Sequence, residues 1–248
     1  MVFVTGDCHG NFERFKPEYF PEQAQMTKKD IVICAGDLGG VWFGDCRDDE
    51  MLDWLEHLPF TLTFVCGNHE NFDALEQYPV EEWHGGKVHR IRSHVLHLMR
   101  GQIFELEGYS FFTMGGAQSH DIQDAILEPD DPDFERKLLM LQRKHKARYR
   151  INRISWWKQE MPSDEEYDEA CHSLDSVGWS VDYIITHCAP TSIALRANHY
   201  NQADRLTDFL QGVKEKASYH YWLFGHYHDN RAVDEKHILL WEQIVQVI

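Results

Sequence analysis

The chain has 248 residues, with 24 Lys and Arg against 41 Asp and Glu, a formal net charge of −17. That length suits one large domain or two small ones, and 43% hydrophobic residues can bury a sizeable core. The longest unbroken apolar run, Ile31 to Ala35, falls far short of the roughly 20 residues a membrane helix needs, and the acidic balance argues against long duplex nucleic acid, whose binding rests on Lys and Arg.

The N-terminal stretch Met1 to Thr5 meets Gly6 and Asp7 at once, too soon for the apolar region of a signal peptide, and no membrane association is expected. Six cysteines never form a C-x-x-C pair, so reduced thiols and a cytoplasmic location are the expectation. In chain order, short β-rich runs each end in a polar cluster containing glycine. Val2 to Thr5 precedes Gly6-Asp7-Cys8-His9-Gly10. Ile31 to Ala35 precedes Gly36-Asp37-Leu38-Gly39, and Leu62 to Cys66 precedes Gly67-Asn68-His69-Glu70. Helical character around Glu13 to Phe20 and Asp48 to His57 makes the opening third read as alternating strand and helix, the pattern of a parallel α/β layer.

From Val88 to Met114 short strands joined at Arg100-Gly101 and Glu107-Gly108 predict an antiparallel meander. Asp133 to Arg148 reads as a helix, and Ser163 with Glu166 forms a capping box opening another. Val181 to Ile185 precedes Thr186-His187-Cys188, and Trp222 to Phe224 precedes Gly225-His226-Tyr227-His228. Ile238 to Trp241 and Ile244 to Val247 return to strand. No Ser/Gly/Pro-rich linker divides the chain, so a single domain over 1–248 is expected, with a rim insertion at about 118–169.

The polar clusters offer Asp7 and His9, Asp37, Asn68 and His69, His187, and His226 with His228. Taken singly each is ordinary, since a Gly-Asp pair is often a turn and a lone His is often a surface residue. Together, each directly after an apolar strand, they form an oxygen and nitrogen ligand set in which one bridging carboxylate could serve two metals, the usual device for displacement at phosphorus. In this order they resemble the calcineurin-like metallophosphoesterase superfamily, whose blocks run D-x-H, G-D-x-x, G-N-H-E/D, a strand-end His, and G-H-x-H, here spread from Asp7 to His228.

The resemblance implies a four-layer α/β/β/α sandwich with two central mixed β-sheets and a dimetal site at one edge. It makes Asp7, His9, Asp37 and His228 the ligands of one metal, and Asp37, Asn68, His187 and His226 those of the other, with Asp37 as bridge. His69 becomes the acid that protonates the leaving oxygen, after attack by a metal-bridging hydroxide. Mixed ligands of this kind suit Mn²⁺, with Fe or Zn²⁺ as alternatives. The expected activity is hydrolysis of a phosphomonoester or phosphodiester, on a phosphorylated small molecule or nucleotide. A nuclease acting on nucleic-acid ends and a non-catalytic scaffold on the same fold are the competing readings.

Two features depart from the protein phosphatase branch: Gly40 stands where a second Asp is found, and Cys66 where Arg precedes the Gly-Asn-His-Glu block. Either Asp45 or Asp48 then partners His69, or the acid is less well tuned. Glu70 orients its neighbours or lies at a helix N-terminus. Ser119, His120 and Asp121 reach the site or form a turn. Arg136 to Lys158 holds nine Lys and Arg and no acid. It is a solvated helix with acids near its start and bases near its end, as the macrodipole favours, or a cap in which Arg148, Arg150 and Arg153 grip a phosphate and Trp156 or Trp157 stacks on a base. The Trp pair equally suits an apolar seam docking the insertion.

Overall fold

The computed structural model describes residues 1–197 and 203–248. Its strands are β1 (Val2–Thr5), β2 (Ile31–Cys34), β3 (Thr61–Phe64), β4 (Val80–Trp83), β5 (Gly86–Arg92), β6 (Val95–Leu98), β7 (Gln102–Leu106) and β8 (Tyr109–Met114), then β9 (Ala125–Leu127), β10 (Tyr149–Ile151), β11 (Tyr183–Thr186), β12 (Tyr221–Phe224), β13 (Arg231–Ala232), β14 (His237–Leu239) and β15 (Ile244–Gln246). The α-helices are α1 (Cys46–Glu56), α2 (Phe72–Leu75), α3 (Phe134–Arg143), α4 (Asp164–Ser176), α5 (Thr191–Ala197) and α6 (Arg205–Lys216).

One sheet has the order β15-β1-β2-β3-β6-β5-β4, the other β13-β14-β12-β11-β8-β7, and β9 and β10 form a separate pair. Both large sheets mix a parallel centre with antiparallel edges: β1, β2, β3 and β6 run parallel, as do β8, β11, β12 and β14. Side chains alternate faces along a strand, and that alternation builds the layers. Val2, Val4, Ile31 and Ile33 point into a core shared with Phe111, Tyr183, Ile185 and Leu223 of the second sheet. Their neighbours Phe3, Val32 and Cys34 face Leu52 and Leu55 of α1 instead. On the far side, Phe112, Ile184, Trp222 and Phe224 pack against Tyr167 and Leu174 of α4 and Leu206 and Leu210 of α6. Three apolar interfaces therefore separate four layers, helix, sheet, sheet and helix, the architecture that the resemblance implies.

Several elements differ from the sequence reading. The helix expected over Glu13 to Phe20 is replaced by two 3₁₀ turns, Glu13–Phe15 and Pro21–Gln25. Pro17 is the reason: it disfavours helical backbone at the residue before it, and Lys16 is extended at ψ 145. The meander of Val88 to Met114 is two hairpins in different sheets, because β6 already pairs with β3 on its other edge and the chain crosses between sheets at Gly101. Helix α3 stops at Arg143, five residues early, where Asp124 pairs with Lys144 Nζ and accepts from the backbone N–H of Arg148 at 2.8 Å, pinning the chain into β10. The capping box at Ser163 and Glu166 forms as expected. Among the described residues, no helix is long and apolar enough to cross a membrane.

Candidate metal centre

Loops after β1, β2, β3, β11 and β12 gather at the carboxyl ends of the parallel strands, where ligands of open α/β sheets bind. Asp7, Asp37, Asn68 and His187 are buried there, His69 and His226 are half-buried, and His9 and His228 are exposed. The result is a buried floor of carboxylate, amide and imidazole with two histidines at a solvent-facing rim.

Four of these residues adopt a left-handed backbone: His9 at φ 48, Asp37 at 47, His226 at 69 and His228 at 49. Such conformations cost non-glycine residues about 1–3 kcal/mol each and persist where surrounding contacts over-determine them. Those contacts run between the loops. The N–H groups of Cys8 and His9 donate to the Asp37 carbonyl at 3.1 and 2.8 Å. The His69 N–H donates to Asp37 Oδ1 at 2.7 Å, and the His226 N–H to Asp7 Oδ1 at 2.9 Å. A Cβ at Gly67 would overlap the Asp37 carboxylate, and one at Gly225 would overlap that of Asp7, so close approach demands glycine beside each of these ligand loops.

The side chains converge. His9 Nε2 and His228 Nε2 are 3.0 Å apart, and Asp7 Oδ2 is 3.1 Å from His228 Nε2 and 3.7 Å from His9 Nε2. Asp37 Oδ2 lies 3.3 Å from His187 Nε2 and 3.7 Å from His9 Nε2, so it faces both halves of the group, as a bridging carboxylate must. Asn68 Oδ1 is 3.3 Å from His187 Nε2. Metal bonds of about 2.0–2.2 Å place adjacent donors roughly 3 Å apart, close to the spacing of these atoms. Donor atoms of Asp7, His9 and His228, and those of Asp7, Asp37 and His187, each fall within 4.8 Å of one another. The His226 ring sits 5.0 Å from that of His187 and outside both of these groups.

The electrostatics call for cations. Burial alone would raise both carboxyls, yet His187 holds Asp7 and Asp37 well below the usual carboxylate range, helped at Asp7 by His228 and His9. Burial works against a charge on His187, but Asp37 and Asp7 push it up to about 9. Its Nδ1 is fixed on the Ala35 carbonyl at 2.8 Å, which aims Nε2 at Asp37 and Asn68. Burial and the charge of His187 drop His226 to about 3, so it stays neutral, the form that ligates. Asp7 Oδ2 is buried without a well-aligned hydrogen bond. Two buried carboxylates, an orphaned oxygen and convergent imidazoles fit a pair of divalent cations.

Comparison with known families decides the membership: the calcineurin-like phosphoesterase family model matches residues 1–230. The chain belongs to the calcineurin-like phosphoesterase family. No curated protein matches it. Family membership supports a metal-dependent phosphoesterase in general terms, and the family generally uses a dinuclear divalent centre.

Around the centre of this calcineurin-like phosphoesterase, His69 has its ring 5.2 Å from that of His9. Burial lowers it, with Arg150 and His9 acting in the same direction and Asp37 and Asp121 opposing. The acids bearing on His69 are thus Asp37 and Asp121. Asp45 instead caps α1, and Asp48 is committed to the N–H groups of Trp42, Phe43 and Gly44. Glu70 is not at a helix N-terminus: Asn71 caps α2, and Glu70 accepts from the Leu38 N–H at 3.0 Å, bracing the Asp37 loop.

The three arginines part company. Arg150 pairs with Asp121 beside His69. Arg148 donates to Gln123 at 2.8 Å, and Arg153 holds Asp73 on α2 through contacts of 3.0 and 2.8 Å. Trp157 is buried edge-on against Trp42 and donates to Asp73 at 2.9 Å, so it is the docking seam and not a stacking platform.

Two residues escaped the sequence reading. Arg14 donates to the Asp7 carbonyl at 2.5 Å, the Trp241 carbonyl at 2.5 Å and Thr5 Oγ1 at 2.8 Å, tying the first ligand loop to the chain after β14. Trp241 stacks on His228, centroids 5.3 Å apart. Trp241 follows an apolar strand, as the ligand loops do, and that rule could have found it; no local signal marks Arg14.

Proposed function

We propose that this chain hydrolyses phosphate esters of small, nucleotide-like molecules with two divalent cations. Asp7, His9, Asp37 and His228 would hold one, and Asp37, Asn68, His187 and His226 the other. The observation that carries the reading is the buried Asp7 and Asp37 pair facing imidazole nitrogens at 3.1 to 3.7 Å. When bound, such cations activate water and neutralise the phosphoryl group. The mixed oxygen and nitrogen donors favour Mn²⁺ over Fe or Zn²⁺.

The chain's own residues supply the rest. Asp37 spans both halves and anchors the His69 backbone, which holds that imidazole beside His9. His69 then hands its proton to the leaving oxygen; a lowered imidazole is the stronger acid when charged. Arg150, held by Asp121, sits beside it with guanidinium N–H groups able to donate to a phosphate oxygen. The net charge of −17 favours small substrates over long duplexes, and six free cysteines suit a reducing cytoplasm.

The test uses metal-stripped protein with p-nitrophenyl phosphate and its bis ester. Mn²⁺ should restore hydrolysis of at least one ester, and a chelator should abolish it. Full Mn²⁺ uptake with no turnover of either ester refutes the enzyme reading, and protein purified with stoichiometric Zn²⁺ alone refutes the Mn²⁺ preference.

A further inference from the structure

An asparagine amide has two ends of equal shape and opposite chemistry: the oxygen accepts or ligates, and the nitrogen only donates. Which end faces a cation is decided by its neighbours. Here Asn68 Nδ2 donates to Ser119 Oγ at 3.2 Å, while Oδ1 stays toward His187. The Ser119 hydroxyl donates to Glu160 Oε2 at 2.5 Å, and the Ser119 backbone N–H donates to Glu160 Oε1 at 2.9 Å. All three side chains are buried, Glu160 at 1% exposure.

This chain of bonds has a fixed direction. Once ionised, above its raised pKa, the Glu160 carboxylate can only accept, so it claims the Ser119 proton. The Ser119 oxygen then offers a lone pair, and only the nitrogen end of Asn68 can meet it. Glu160 is itself anchored: Arg100 Nη2 donates to the carbonyls of Gln159 at 2.7 Å and Glu160 at 3.2 Å. Burial pushes the Glu160 carboxyl up to about 7, against its bonds to Ser119. An apolar side chain would fill that position without the desolvation cost, so stability alone does not account for a carboxylate there.

We propose that Glu160, acting through Ser119, is a positioning residue that turns the Asn68 amide so that its oxygen faces the metal centre. Glu160 lies between β10 and α4, outside the strand-end loops, so a ligand of the centre is oriented from the excursion that leaves the two sheets after β8. The inference rests on the metal centre proposed above.

The test is calorimetric titration of the metal-free, full-length protein with Mn²⁺ at a pH about one unit above the Glu160 carboxyl, where that group is ionised. Glu160→Gln is nearly isosteric but reverses the relay: its oxygen stays on the Ser119 N–H, and its nitrogen donates to Ser119 Oγ. The Ser119 proton then turns toward Asn68 and draws the amide oxygen away. Mn²⁺ affinity at one of two equivalents should fall roughly 10- to 100-fold, the usual effect of losing a partner behind a ligand. Ser119→Ala should weaken binding in the same sense, with the far-ultraviolet dichroism unchanged.

Asn68→Asp provides the decisive arm, because both ends become oxygens. With Glu160 intact, Ser119 has one proton for two carboxylates; with Gln at 160 that proton is free for Asp. Asn68→Asp combined with Glu160→Gln should therefore bind Mn²⁺ more tightly than Asn68→Asp alone, a reversal of sign that a purely structural role would not produce. Additive losses in the double variant, or unchanged affinity in Glu160→Gln, overturn the relay while leaving the metal centre standing. A parent protein that takes up no Mn²⁺ overturns both.

Discussion

At the strand ends, Asp7 and Asp37 are buried and face the imidazoles of His9, His187 and His228 at 3.1 to 3.7 Å. In the excursion between β8 and α4, Arg136 pairs with Asp133, Lys137 with Asp131, Lys144 with Asp124 and Arg153 with Asp73, all at or near the surface, and α3 has no buried residue. Both regions set carboxylates against basic groups, imidazoles at the strand ends and Lys or Arg in the excursion. The contrast teaches that charge count says little about function. Exposed pairs exchange one solvent shell for another at small net gain, whereas a buried charge must be answered by a partner or a cation.

The contrast can be broken hardest where the two regions meet. Arg100 is buried and binds the carbonyl of Gly115, the carbonyl of Gln159 and the carboxylate of Glu166. Arg100→Ala should cost about 3 kcal/mol in urea unfolding, because it strands buried acceptors; a change under about 1 kcal/mol would mean that the excursion is not held through this residue.

Next in size, Asp37→Asn should keep the fold by circular dichroism and lose at least about 100-fold in hydrolysis of an aryl phosphate, about 2.7 kcal/mol of transition-state stabilisation. Near-parental turnover would remove Asp37 from the centre. His69→Ala sharpens the role of the half-buried acid: the loss should be on the order of 100-fold for phenyl phosphate and shrink for the p-nitrophenyl ester, whose leaving group needs little protonation. Equal losses on both esters would argue against proton donation. Smallest of all, Arg136→Ala should leave the thermal midpoint and the turnover indistinguishable from the parent, and a clear drop in either would show that the surface pairs of the excursion matter.

Much of the fold is legible in the sequence. The strands before the polar clusters appear where the β-rich runs place them, because a short β-rich run buried on both faces and ended by glycine is a local signal. Errors arise where a distant partner overrides local preference. The stretch Asp133 to Arg148 holds no Gly or Pro to stop a helix at Arg143, but Asp124 binds Lys144 and the Arg148 backbone and draws the chain into the β9 and β10 pair. Glu13 to Phe20 departs from a helix for a local reason, the extended backbone that Pro17 imposes on Lys16. Legibility of the centre stops one shell out: Ser119 announces itself only as a residue after a glycine pair, Glu160 as one acid near the end of a basic run, and Arg14 not at all.

What the sequence determined by itself is the inventory: which side chains can ligate, and that each follows a strand, since both are written in nearest-neighbour pattern. Tertiary structure alone decided which arginine stands beside His69, which acid acts on it, and which end of Asn68 is turned inward. Those outcomes depend on hydrogen-bond direction and burial between segments tens of residues apart, such as Asn68 and Ser119, where no local rule operates.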